Sequence, residues 1–158
     1  MRTPDSTDLR LMSALLANPR ETTVALADRL QLSRNTVQSR LANLQSGGAF
    51  LPFDRCINPA EVGYPLTAFT TVHAKQQLLN EIVEALSAIP EIVQAHGLSG
   101  PSDILVQVSC TSAEDLFRVN ALILACEGVE RTETAFAIHE LIPYRIGPLL
   151  QKLQDEAP

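Results

Sequence analysis

One short stretch near the N-terminus concentrates side chains that can bind the edges of base pairs. Arginine contacts guanine O6 and N7 with two hydrogen bonds, asparagine and glutamine do the same to adenine, and hydroxyls bond phosphates or base edges. The stretch holds no Asp or Glu, whereas an ordinary solvated helix face, the alternative, usually mixes both signs of charge. We therefore predict that double-stranded DNA is bound by Ser33, Arg34, Asn35, Thr36, Gln38, Ser39 and Arg40.

Three predicted helices position this stretch. The first runs from the N-cap candidates at 5–8 to Asn18-Pro19, and the second covers 24–30. Ser33 is a good N-cap for the third helix, which Gly47-Gly48 ends. Its apolar residues Val37, Leu41 and Leu44 share one face and leave the polar side chains on the other. Two short helices joined by a tight turn, the second amphipathic, predict a helix-turn-helix.

The charge distribution agrees with DNA binding by the N-terminal part alone. The chain has a net charge of −6. Residues 1–60 carry seven Arg and five Asp or Glu, a net +2, and the rest carries five basic against thirteen acidic residues, a net −8. Any phosphate contact is therefore expected in the first sixty residues.

Composition and residue spacing exclude several other classes of protein. A hydrophobic content of 46% excludes a disordered chain. No apolar run approaches the roughly 20 residues that span a bilayer, so we expect a cytoplasmic protein. Cys56, Cys110 and Cys126 have neither metal-ligand nor disulfide spacing. We find no nucleophile paired with a base and no phosphate-binding glycine loop, and we predict no catalysis, no metal and no cofactor.

Beyond residue 65 the pattern alternates between strand and helix periods. The predicted order is β-α-β-β-α-β, the ferredoxin-like unit, which gives an α+β protein with a winged-helix-like N-terminal domain. We predict domains at 1–49 and 66–158, joined by a strand and linker at 50–65 in which residues 50–57 form the strand. The other predicted strands are 66–73, 91–99, 104–110 and 129–141, the helices lie near 79–89 and 116–126, and a short tail follows.

Both faces of the predicted sheet include apolar side chains. Leu105 alternates with Val106, and Phe136 with Ala135. Because the two helices cover only one face, the other needs a second cover. The simplest cover is a second copy of the chain, so we predict a symmetric homodimer.

At this point the sequence resembles the Lrp/AsnC, or feast/famine, family of prokaryotic transcription regulators. The resemblance extends over about residues 5 to 150, and the order and spacing of its segments are specific although each alone is weak. The matching segments are Asp8–Met12, Leu26–Leu30, Leu32-Ser33 with Arg40, Asn58-Pro59, Gly63-Tyr64, Ile89–Val93, Gly100 with Asp103, and Gly128-Val129.

The resemblance implies a sequence-specific regulator whose dimers assemble into higher oligomers, often octamers. It also implies that an amino acid or related metabolite binds between dimers. Backbone N–H groups of the turn at 100–103 are expected to receive the carboxylate, and Asp103 the ammonium. Carried over to this chain, the implied effector-binding residues are Gly100, Ser102, Asp103, Thr132 and Thr134.

Two departures from the family pattern leave alternatives open. The family turn usually reads Gly-Asp-Tyr-Asp, whereas this chain has Gly100-Pro-Ser-Asp103, which is also compatible with a plain hairpin turn. A basic pair near the end of the third helix is replaced by Ala42-Asn43. The alternative function is an enzyme on the same scaffold, such as a haem-precursor decarboxylase, but five basic residues after residue 60 are few for holding propionates.

Overall fold

The computed structural model describes residues 4–156, which divide into two compact units. The N-terminal unit comprises residues 4–56 and 142–156, and the sheet unit comprises 57–141. The helices are α1 (Ser6–Ala17), α2 (Thr23–Leu30), α3 (Arg34–Ser46), α4 (Leu79–Ser87), α5 (Ala113–Leu124) and α6 (Gly147–Asp155). The strands are β1 (Leu66–Ala74), β2 (Ile92–Gly97), β3 (Ile104–Cys110) and β4 (Val129–Phe136).

Side-chain caps begin the first three helices, and the sequence predicted those of the first and third. Asp5, Thr22 and Ser33 each accept hydrogen bonds from backbone N–H groups of the first turn. Gln31 adopts a left-handed conformation with φ of 57° and makes the tight turn between α2 and α3. The helices bury a shared core of Leu11, Ala14, Leu26, Ala27, Leu30 and Val37. The predicted helix-turn-helix is confirmed.

The strand predicted at 50–57 is wrong. Phe53–Cys56 form a turn of 3-10 helix, and every residue from 50 to 57 is exposed. Apolar composition alone does not make a strand, because its N–H and C=O groups need a neighbouring strand, and Pro52 supplies no N–H. In the described part of the N-terminal unit no strand, and hence no wing, is present.

The C-terminal tail forms a helix that packs on α1. Leu150 is buried, and the Gln154 side chain donates a 2.9 Å hydrogen bond to the Ser13 hydroxyl. The sequence prediction placed this tail in the domain 66–158, whereas it belongs to the N-terminal unit. The sequence predicted only a short tail here, because local spacing does not show which partner covers its apolar residues.

The sheet unit has the predicted β-α-β-β-α-β order, and its four antiparallel strands lie in the order β2-β3-β1-β4. Both helices pack on one face, where Val72, Val106, Val108, Ile82 and Val119 are fully buried. The fourth strand was predicted to reach residue 141, whereas β4 ends at Phe136. Its neighbour β1 begins at Leu66, so the last bond between the two runs from the Ala137 N–H to the Thr67 carbonyl and later residues have no partner in the sheet.

The face of the sheet opposite α4 and α5, here called the open face, is more polar than predicted. Phe136 pairs with Ala68 and therefore lies on the helix-covered side. Phe69 and Leu105 supply the large apolar side chains of the open face, and both are partly exposed. Its other members include Thr67, Thr71, His73, Gln107, Arg131, Glu133 and Ala135.

Candidate nucleic-acid interface and effector region

The burial of α3 sorts the predicted DNA-binding residues into two groups. Val37 and Leu44 are buried and fix which side of α3 faces the core. Arg34, Asn35, Gln38 and Ser39 are exposed, and we call these four residues the outer face of α3. No acidic residue occurs anywhere in the helix. The outer face therefore presents donors and acceptors suited to base edges and phosphates.

Ser33 and Thr36 build the start of α3. The Ser33 hydroxyl accepts the Thr36 N–H at 3.1 Å, and the two hydroxyls lie 2.8 Å apart. Ser33 is exposed and Thr36 is half-buried. The positive end of the helix dipole lies at this terminus, which favours a nearby phosphate.

Arg40 differs from the outer face because it is ion-paired within the protein. Its Nη1 lies 2.6 Å from Asp5 Oδ2 and 2.8 Å from Asp8 Oδ1. The hydrogen bond from Arg40, with N–H groups of Asp8 and Thr7, lowers the pKa of Asp5 to about 2, and the same carboxylates raise the pKa of Arg40. Arg40 was predicted from the sequence as a DNA contact, and the sequence gave no sign of this cluster.

Two further arginines of the N-terminal unit serve its fold. Arg10 donates a 3.0 Å hydrogen bond to the Leu30 carbonyl at the end of α2, and Arg29 forms a 2.8 Å ion pair with Glu21. Arg34, by contrast, makes no ion pair with any residue in the range 4–156. Arg34 is thus available to an external anion.

A shallow depression on α3 adds one residue that sequence reasoning left out of the site. It is lined by Asn35, Thr36, Ser39, Arg40 and Asn43. Asn43 is exposed and follows Asn35 and Ser39 at intervals of four residues, so the three form one stripe. This four-residue spacing is the signal in the sequence from which Asn43 could have been added to the site.

Asp103, at the predicted effector turn, is engaged by its own chain. Its carboxylate accepts the Ala74 N–H at 2.8 Å and the Gln76 amide at 2.5 Å. These two bonds, the backbone one foremost, hold the pKa of Asp103 below its usual value. The Ser102 hydroxyl lies 3.4 Å from His73 Nε2, and Gly100 is exposed with open space where a Cβ would lie. Asp103 therefore fixes the end of β1.

The remaining effector candidates, Thr132 and Thr134, are not brought to the turn within one chain. Both lie on the helix-covered side of β4, and β1 separates β4 from β3. The Thr134 hydroxyl is 2.9 Å from that of Thr70, and both bond the Asn120 side-chain oxygen. Sequence reasoning missed Asn120, because only the folded chain brings α5 beside β4.

The described residues offer neither a metal site nor a membrane-spanning helix. No group of three or more His, Cys, Asp or Glu side chains within 4–156 is arranged to hold a metal ion. None of the described helices has the length and hydrophobicity that crossing a membrane requires.

Comparison with known families decides what the two units are. Residues 5–45 match the AsnC-type helix-turn-helix domain, and residues 67–146 match the Lrp/AsnC ligand binding domain. The chain belongs to the Lrp/AsnC family. It is a helix-turn-helix transcription regulator with a ligand-binding domain, and the predicted family is confirmed.

Relatives of similar length support this assignment. The HTH-type transcriptional regulator FL11 of Pyrococcus horikoshii is 27% identical over 87% of this chain and 92% of its own. The Mycobacterium tuberculosis leucine response regulatory protein is 28% identical, with a TM-score of 0.78 over 90% of this chain and 98% of its own. A Neisseria meningitidis regulator solved in complex with L-Met is 26% identical, with a TM-score of 0.78 over 89% and 93% of the two chains. E. coli AsnC, at 23% identity, shares the fold with a TM-score of 0.83 over 93% and 100%.

Proposed function

We propose that this Lrp/AsnC regulator inserts α3 into the major groove of double-stranded DNA and acts in the cytoplasm without catalysing a reaction. The observation that carries the proposal is the outer face of α3, which is exposed and free of acids. Arg34 contacts phosphate or guanine, Asn35 and Gln38 bind base edges, and Ser39 contacts the backbone. Ser33 and Thr36 fix the helix terminus that approaches a phosphate.

The proposed working unit is a homodimer that assembles further, as far as an octamer. The open face of the sheet lacks a covering helix and exposes Phe69, which supports pairing of two sheets about a two-fold axis. A two-fold dimer carries two copies of α3. Its DNA site is then expected to have two half-sites about 34–36 Å apart, one turn of the duplex, or a multiple of that spacing.

We also propose that an amino acid or related metabolite binds where two dimers meet. The Neisseria relative in complex with L-Met supports this ligand class. The Asp103 carboxylate accepts two bonds, which leaves acceptor capacity for an ammonium group. Because β1 separates Thr132 and Thr134 from the turn, these hydroxyls would meet the ligand from another copy, while N–H groups near Gly100 and Ser102 receive its carboxylate.

Footprinting with and without each amino acid tests both parts of the proposal on the DNA upstream of the protein's own coding region. We expect paired protected segments that an effective amino acid strengthens, weakens or extends, because ligand binding and assembly are linked. Asp103→Asn keeps an acceptor for the Ala74 N–H and should lose the ligand response, with ligand affinity reduced roughly ten- to a hundred-fold. Protection that no amino acid changes would contradict the effector proposal, and absence of protection would contradict DNA recognition at that site.

A further inference from the structure

A three-charge cluster joins the start of α1 to the middle of α3. One guanidinium nitrogen, Arg40 Nη1, lies 2.7 and 2.6 Å from the two oxygens of Asp5 and 2.8 Å from Asp8 Oδ1. Charge-assisted hydrogen bonds of this length are among the strong ones in proteins. The cluster connects residues that are 35 and 32 positions apart in the sequence.

Both carboxylates are held in place by the first turn of α1. Asp5 Oδ1 accepts the N–H groups of Thr7 and Asp8, while Asp8 Oδ2 accepts the Asp5 N–H at 3.2 Å. Asp8 is buried, with 4% of its surface exposed. Moving Arg40 away would remove a positive charge from beside a buried carboxylate, which is unfavourable.

The position of Arg40 in the helix also turns it from the outer face. It follows the buried Val37 by three residues and precedes the buried Leu44 by four, so it lies at the edge of the inner side. Its side chain is 26% exposed. A phosphate that approached this guanidinium would meet two carboxylates bearing the same sign of charge as itself.

We propose that Arg40 is a positioning residue, tied by Asp5 and Asp8 so that α3 sits at a fixed angle to α1, and that it does not contact DNA. This inference rests on the proposed function, in which α3 binds the major groove. The consequence is that Asp5 and Asp8, although negatively charged, favour DNA recognition because they hold the recognition helix in place.

The test compares Arg40→Ala, Asp5→Asn and Arg34→Ala in the full chain by fluorescence anisotropy over a salt series. The probes are a duplex that the wild-type protein selects from a random-sequence pool and a scrambled duplex of equal length. Asp5→Asn is the mild variant, because asparagine caps helices as well as aspartate does.

With Arg40→Ala we expect the dependence of log affinity on log salt to keep its slope, while the preference for the selected duplex falls roughly tenfold. Asp5→Asn should lower that preference in the same direction, and Arg40→Lys should restore part of it. If Arg40 instead bound a phosphate, its removal would reduce the slope by about 0.9, and Asp5→Asn would leave the arginine paired with Asp8 alone and raise affinity.

Thermal unfolding of each variant separates positioning from stability alone. A lower melting temperature with an unchanged preference, measured well below the transition, would overturn the proposal. If the Arg40→Ala variant does not fold, the preference of the Asp5→Asn variant for the selected duplex decides whether Arg40 positions α3. A wild-type protein that selects no duplex would instead refute the proposed DNA function, and this inference with it.

Discussion

Replacing Arg34 and Gln38 together with alanine should abolish most sequence-specific DNA affinity and leave the fold unchanged. Both side chains are exposed, and neither bonds another residue among those described. With Arg34 on guanine and Gln38 on a base edge, each contact contributes about 1–3 kcal/mol of discrimination. Losing two contacts therefore predicts a decrease of roughly 30-fold or more in affinity for a selected duplex. Anisotropy titrations with the selected and scrambled duplexes measure this decrease.

Lys75→Ala is the control for the loss of a positive charge. Lys75 is exposed and lies at the end of β1 in the sheet unit, outside the helix-turn-helix. The Lys75→Ala substitution should reduce affinity for the selected duplex only slightly and leave the preference for the selected over the scrambled duplex unchanged. Equal affinity of the double variant and the wild type would remove α3 from the DNA interface.

Placing charge on the open face should convert the proposed dimer to a monomer. Phe69 and Leu105 lie on that face on the two central strands β1 and β3. Phe69→Glu with Leu105→Glu would bury two carboxylates per chain in the proposed interface, at a cost of several kcal/mol. Within the monomer both positions are partly exposed, so the fold should remain. Sedimentation velocity at micromolar concentration measures the change.

Phe117→Glu provides the matched control for this prediction. Phe117 is 76% exposed on α5, a helix that covers the other face of the sheet. The same aromatic-to-acid change there should leave the dimer intact. A wild-type chain that sediments as a monomer, or an open-face double variant that remains dimeric, would place the interface elsewhere.

Local signals in the sequence identified most of the elements. The alternation of Ile104, Val106, Val108 and Cys110 put all four residues on the buried side of β3, because a strand buries every second residue. Ser33 before a helical pattern fixed the start of α3 through its own hydrogen bond. Such signals act within a few residues, so they are visible before the chain folds.

The features that the sequence did not reveal have long-range causes. Residues 50–57 have strand-like composition but no partner strand in the single chain. Arg40 has the residue type of a DNA contact, yet its partners Asp5 and Asp8 lie on another helix. Thr132 and Thr134 were grouped with the turn at 100–103, although β1 lies between them. In each case the deciding neighbour is distant in sequence, and periodicity carries no information about it.

The central claim, sequence-specific DNA binding through α3, is tested most directly by one measurement on the wild-type protein. Its affinity for the selected duplex and for the scrambled duplex is determined at increasing salt concentrations. We predict a preference of roughly 1,000-fold or more for the selected duplex near physiological salt, with affinity for both falling steeply as counterions are released. Equal affinity for the two duplexes, or affinity that salt does not change, would contradict the account.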